Sequence, residues 1–186
     1  MTSIRPRRAL DVGANTGHFS ALAAGIGASV LAIDTDARCV GAIWEKARAA
    51  KLDILPLVVD FSRPTPPLGW RNRECASFLD RARGKFDCVL MLAVLHHLLV
   101  TERVPLDEVI RLAAELTTAH LVIEWVGPQD AMFRRIARGR DHLHAGLDVT
   151  VFEQACRPHF EVVRSVRLGE SHRWMYWLRK RPATNG

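Results

Sequence analysis

The sequence predicts an α/β fold, a doubly wound and mostly parallel seven-stranded sheet that ends in an antiparallel strand pair. Three observations carry this. Short β-rich runs alternate with helical ones along the chain, as a parallel sheet covered on both faces requires. A run of small residues and glycines separates the first strand from the first helix, within twenty residues of the start. The last two apolar runs alternate with period two and are joined by Gly169-Glu170-Ser171, the pattern of antiparallel neighbours.

Each element follows in order. Arg8 to Val12 is a strand, and Gly17 to Ala24 begins a helix. Ser29 to Asp34 is an apolar, β-branched strand. Ala37 to Ala50 is a helix with Val40, Ile43, Trp44 and Ala47 expected on one face. Ile54 to Val59 is the third strand. Phe61 to Arg71 holds Pro64, Pro66, Pro67 and Gly69, so it is a loop. Glu74 to Ala82 is a short helix, and Phe86 to Ala93 is a strand apolar enough to be buried on both faces. Pro105 to Leu116 is a helix with Asp107 and Glu108 in its first turn, where the helix dipole favours them. Leu121 to Val126 is the fifth strand, followed by helices at Ala131 to Ala137 and Val149 to Cys156. Phe160 to Arg167 and Arg173 to Arg179 form the terminal pair.

The chain of 186 residues suits one domain, residues 1–186, with a minimal N-terminal cap. Its composition, 48% hydrophobic and 25% charged, is that of a globular protein. Thr2 to Arg8 and Pro182 to Gly186 read as frayed ends. No apolar run is long enough to span a bilayer and no leader precedes the first strand, so a cytoplasmic setting is expected, away from membranes. Cys39, Cys75, Cys88 and Cys156 lack C-x-x-C spacing and read as reduced thiols. The net charge of +6 permits an anionic partner, yet the arginines are dispersed and Arg134-Arg135 and Arg179-Lys180-Arg181 are the densest clusters. Nucleic acid is therefore not favoured as a partner.

The segment Leu10-Asp11-Val12-Gly13-Ala14-Asn15-Thr16-Gly17-His18-Phe19-Ser20 lies between a strand and a helix. Gly13 and Gly17 let backbone approach a ligand where a side chain would clash. The helix start that follows offers N–H groups and a positive dipole end. A dinucleotide fingerprint needs G-x-G-x-x-G, and Asn15 and His18 occupy its second and third glycine positions. Asp34 ends the second strand, 21 residues after Gly13, where a carboxylate can accept from both hydroxyls of a ribose. Asp60-Phe61 ends the third strand and offers an acid and an aromatic face to a purine; turn formation competes for the same acid. Asp36 reads as a helix N-cap, and Asp11 as a brace for the glycine loop.

On Asp11-Val12-Gly13-x-x-x-Gly17, Asp34, Asp60, Phe86-Asp87-Cys88-Val89 and Val94-Leu95-His96-His97-Leu98, the chain resembles the class I S-adenosylmethionine-dependent methyltransferases, which have a Rossmann-like sheet. The resemblance implies S-adenosylmethionine as cofactor. It implies that Asp11, Gly13, Ala14, Asn15, Thr16 and Gly17 surround its methionine part, Asp34 and Thr35 its ribose, and Asp60 and Phe61 its adenine. Backbone at Leu92 and Ala93 would meet its amino group. Family members usually carry helices before the first strand. From the short lead-in here a second copy or a separate partner chain is expected to cover the site, or else turnover is expected to be poor; residues 61–73 and 138–147 are the local alternatives for a lid. Pro67 to Glu74, Leu95-His96-His97-Leu98 and Ile123-Glu124-Trp125-Val126 also resemble methyltransferase-like proteins associated with rhizobial nodulation.

His96, His97 and Glu124 stand at strand ends where an acceptor should sit, and each is a candidate general base; packing is the alternative for the histidines. Trp70 and Trp125 suit either an acceptor pocket or packing. His142-x-His144 with Asp141 or Asp148 matches no strong metal signature, and no metal is expected. The signatures of adenine-N6 and cytosine-C5 enzymes are absent after the fourth strand. The expected function is methyl transfer from S-adenosylmethionine to O, N or C of a small molecule. The alternatives are an RNA or protein methyltransferase, a non-catalytic S-adenosylmethionine-binding module and, disfavoured by the missing glycines, a nicotinamide oxidoreductase.

Overall fold

The computed structural model describes residues 4–182. Seven strands alternate with six helices among them: β1 Arg8–Val12, α1 His18–Gly25, β2 Ser29–Asp34, α2 Ala37–Ala50, β3 Ile54–Val58, α3 Phe78–Ala82, β4 Phe86–Met91, α4 Leu106–Leu116, β5 Thr117–Val126, α5 Ala131–Ala137, α6 Val149–Cys156, β6 Phe160–Arg167 and β7 Arg173–Lys180. They form one sheet in the order β3-β2-β1-β4-β5-β7-β6, the expected Rossmann-like arrangement. The order reverses after β1, and open α/β sheets bind ligands beyond the carboxyl ends of strands at such a reversal.

The chain divides into two compact units. The first runs to Leu90 and includes Leu116–Thr118. In it β1, β2 and β3 are parallel, with Val12 opposite Ile33 and Asp34 opposite Val58, so their carboxyl ends share one edge. Ala9, Leu10, Val30, Ala32 and Ile33 are buried on these strands, and Val40, Ile43 and Ala47 of α2 complete the core. Asp36 caps α2 by accepting from the Arg38 N–H at 2.8 Å, as expected.

The second unit holds Met91–Glu115 and the chain from Ala119 onward. Here β7 pairs antiparallel with both β5 and β6, and β6 carries a bulge between Val162 and Arg164. Its core is aromatic: Phe152 lies 5.1 Å from Trp125 and 4.9 Å from Tyr176, ring centre to ring centre.

Several expectations are corrected. Arg7 and Arg8 are not frayed, because their N–H groups donate to the Asp87 carboxylate at 2.8 and 3.0 Å; residues 2–3 and 183–186 of the expected frayed ends lie outside the described residues. Trp44 leaves the core face of α2, standing 52% exposed with the Arg48 guanidinium over its ring. The helix expected from Glu74 starts at Phe78. Cys75 instead pairs with Leu68 in an isolated bridge, and Ser77 caps the shortened helix. The fourth strand stops at Met91, since Ala93 adopts a left-handed φ of 53° that no strand accommodates. The fifth strand starts at Thr117, four residues early, directly after α4. A π-type turn over His97–Thr101 and 3₁₀ turns over Trp70–Asn72 and Asp141–His144 leave no periodicity signal in so few residues.

Candidate active site

In the first unit, the loop from Gly13 to Gly17 is built on left-handed backbone, with φ of 69° at Gly13, 48° at Asn15 and 75° at Gly17. The loop satisfies most of its own amides. The N–H groups of Gly13 and Ala14 both donate to Ile33 O, and that of Gly17 donates to Ala14 O. The Asn15 N–H donates to Asp34 Oδ2 at 2.8 Å. These loop amides are therefore not free to cradle an anion. At the start of α1 the Ser20 N–H is taken by Asp11. Gly17 gives α1 no side-chain cap, and the buried Asp11 carboxylate accepts from the Ser20 hydroxyl at 2.5 Å and from its backbone. Burial raises the Asp11 pKa from 3.8 to about 6, and the Ser20 hydrogen bonds oppose that rise. Asp11 is thus a brace between strand and helix. Its partner Ser20 is missed at the level of sequence, where one serine on a helix carries no signal.

Gly17 is needed for packing. A Cβ there would stand 2.9 Å from Cγ1 of the buried Ile43 on α2. Lys46 of the same helix donates to Thr16 O at 2.7 Å, so α2 holds the loop from outside.

Asp34 is half-buried at the shared edge. Its Oδ2 accepts from Asn15 and its Oδ1 from the Asp36 N–H at 2.9 Å, which fixes the plane of the carboxylate. One lone pair on each oxygen remains for a ligand. Thr35 beside it is exposed, as are Asn15 and Thr16, while Ala14 is buried.

Asp60 is committed to its own turn. Oδ1 accepts from the Ser62 N–H and hydroxyl at 2.9 and 2.6 Å, and Oδ2 accepts from Arg63 Nε at 3.1 Å. The Ser62 hydroxyl bond, foremost, holds its pKa below the ordinary carboxylate value. Phe61 is 8% exposed and so offers little aromatic face to a purine. For Asp60 these bonds favour the turn reading.

In the second unit, Leu92 is buried and Ala93 exposed. The strained Ala93 backbone is held by its N–H, which donates to Glu124 Oε2 at 2.9 Å. Glu124 Oε1 accepts from Arg173 Nη1 at 3.2 Å, and Arg173 donates through Nε and Nη2 to Asp130 at 2.8 and 3.1 Å. Asp130 in turn caps α5 by accepting from the Met132 and Phe133 N–H groups. Each oxygen of Glu124 therefore accepts one hydrogen bond, and the side chain holds the Ala93 turn. Asp130 and Arg173 are missed in the sequence, being 43 residues apart with nothing local to link them.

His96 is 2% exposed, and its Nδ1 has no hydrogen-bond partner. Burial first, then His97 and Arg173, pull its pKa down to about 4, so the ring is neutral at neutral pH. The exposed His97 ring lies 4.3 Å from it. Trp125 is core at 2% exposure, and Trp70 is solvent-facing at 77%. Among the described residues no group of three or more His, Cys, Asp or Glu is arranged to hold a metal ion, and no helix is long and apolar enough to cross a membrane.

Comparison with known proteins places this geometry. Residues 2–141 match the methyltransferase domain family. The nodulation protein NoeA of Rhizobium meliloti strain 1021 is 32% identical over 173 residues, covering 92% of this chain. The chain spans about a third, 36%, of the length of that relative. The PH0226 protein of Pyrococcus horikoshii OT3 superposes with a TM-score of 0.67 at 14% identity, covering 96% of this chain and 83% of that one. The N-methyltransferase NodS of Bradyrhizobium japonicum WM9, solved with S-adenosyl-L-homocysteine, gives 0.66 at 16% identity, covering 95% of this chain and 79% of its own. The chain belongs to the methyltransferase domain family and has the fold of the class I S-adenosylmethionine-dependent enzymes.

Proposed function

We propose that this chain, acting as one methyltransferase domain, binds S-adenosylmethionine and transfers its methyl group to a small molecule. The observation that carries the reading is Asp34. Its carboxylate is held at the sheet edge by two backbone N–H groups, one of them from the left-handed loop, with a lone pair on each oxygen left for ribose hydroxyls. Family membership and the NodS complex with S-adenosyl-L-homocysteine support the choice of cofactor. Asp34 would hold the ribose, with Thr35 beside it, and the exposed residues Asn15 and Thr16 would flank the methionine part. In the second unit, Glu124 keeps the Ala93 turn in place.

The cofactor supplies a methyl group already activated on a sulfonium. The work left to the protein is alignment at near-attack distance and exclusion of water. Where the acceptor must also lose a proton, His97 is better suited than His96. A ring held near 4 is a weak base at neutral pH. The small-molecule acceptor is supported by the dispersed arginines and by Leu92-Ala93-Val94-Leu95 after β4, which lacks a nucleobase-enzyme signature. Four free thiols suit a cytoplasmic setting.

The test is incubation of the chain with S-adenosylmethionine and a metabolite extract, followed by mass spectrometry. A metabolite heavier by one CH₂, formed only with active protein, is the expected result. Methylation of added RNA or protein alone would contradict the small-molecule reading, and no product with any acceptor pool would favour a binding module.

A further inference from the structure

The second unit contains a cavity of about 340 Å³, within the range of about 300–1,000 Å³ typical of small-molecule sites. Its lining residues come from two stretches of chain, one starting at Leu99 and ending at Leu106, the other starting at Arg140 and ending at Leu147. Leu99, Val104 and Leu143 give it an apolar lining, and Arg103, Arg140 and His144 add nitrogen donors. Among the described lining residues none is a carboxylate.

Three further observations fit a ligand site. The wall residues Leu99 and Val100 belong to the π-type turn His97–Thr101, a rare geometry that recurs at functional sites. Arg103 is held at a left-handed φ of 57°, a conformation that costs a non-glycine residue about 1–2 kcal/mol and persists where function uses it. His144 is fixed edge-on against the fully buried Phe133, ring centres 5.4 Å apart, and Arg140 is anchored through Nε to Ala137 O at 3.2 Å, which leaves its terminal nitrogens free of that bond.

We propose that this cavity takes the methyl acceptor, and that the acceptor is an apolar molecule carrying a carboxylate or phosphate. The inference rests on the methyltransferase reading above, and it is tied to that reading by the turn that carries both His97 and the cavity wall. The apolar part lies against Leu99, Val104 and Leu143. The anionic group meets Arg103 and Arg140, since guanidinium groups recognise planar carboxylates and phosphates through paired hydrogen bonds.

Calorimetric titration of the whole chain, saturated with S-adenosylhomocysteine, tests this with octanoate, octyl phosphate and octylammonium. Octanoate or octyl phosphate is expected to bind, the tighter of the two naming the anion, and octylammonium is not. The double substitution Arg103→Gln with Arg140→Gln should weaken the anion by about tenfold or more, with S-adenosylhomocysteine affinity unchanged. On the unaltered chain, carboxylates from butanoate upward should gain about fourfold per methylene until the cavity is full. Octylammonium binding as well as octanoate, anion affinity unchanged in the double variant, or no dependence on chain length would each overturn the proposal. A chain that takes octanoate but never S-adenosylhomocysteine would overturn the assignment to an acceptor together with the reading on which it rests.

Discussion

The Asp34 carboxylate accepts the Asn15 backbone N–H at 2.8 Å, so the residue proposed to hold a ribose also sets the shape of the glycine loop. The same side chain accepts from Asp36, one residue before α2 begins. Loop, strand end and helix start are thereby linked, and the carboxylate is oriented before any ligand arrives. Preorganisation of this kind lowers the ordering cost of binding.

Gly17 should tolerate nothing larger. Gly17→Ala places a methyl group 2.9 Å from Ile43 and in left-handed backbone. The two effects together should cost about 2 kcal/mol or more in chemical denaturation. Gly41, inside α2 with open space around its Cα, is the control. Gly41→Ala should stabilise by about 0.5–1 kcal/mol. Equal effects at the two positions would show that the Ile43 contact does not define the loop.

Asp11 and His96 should impose opposite pH dependences. The Asp11 pKa is raised from 3.8 to about 6, so the folded chain holds a proton that the unfolded chain has lost, and stability falls as pH rises through that window. The His96 pKa is lowered from 6.5 to about 4, so the unfolded chain binds the extra proton, and stability rises across nearly the same window. Each amounts to about 3 kcal/mol at full extent, so the two largely cancel. Relative to the parent chain, Asp11→Asn should gain stability as pH rises from 4 to 6.5, and His96→Leu should lose it. Denaturation curves at half-unit pH steps read this directly; difference curves that are flat for both variants would refute the two assignments.

Arg173 should matter beyond its own exposure. It bridges Glu124 and Asp130, and Arg173→Met leaves two nearly buried carboxylates facing each other without their cation. Loss of one partner of a buried pair costs about 3–5 kcal/mol; with its side chain 28% exposed, Arg173 should cost about 2 kcal/mol. The Ala93 amide should exchange faster with solvent in the same variant, because its acceptor Glu124 loses an anchor. Unchanged exchange would separate Glu124 from Arg173 as a positioning device.

The strand exits were legible because their signals are local. Asp34 ends a β-branched run at a fixed distance from Gly13, and β6 and β7 announce themselves by alternation around Gly169. What escaped was long-range or non-periodic. Asp130 and Arg173 meet across 43 residues, and the π-type turn at His97 occupies only five. Trp44 and Trp125 show the limit of pattern reading, since both fit an apolar face and only packing sends one to solvent and the other to the core. Asp60 was ambiguous for a physical reason: the same carboxylate can serve a ligand or its own turn, and Ser62 two residues on decides for the turn.

Titration of S-adenosylhomocysteine into the chain by calorimetry, with NAD as the comparison, tests the central claim most directly. S-adenosylhomocysteine should bind and NAD should not. Asp34→Ala should weaken binding by about 2–4 kcal/mol, the loss of charge-assisted hydrogen bonds to a ribose. Asp34→Asn, which keeps an oxygen for the Asn15 amide, should still lose about 2 kcal/mol because its charge is gone. Undiminished affinity in both folded variants, or binding of NAD in place of S-adenosylhomocysteine, would contradict the account.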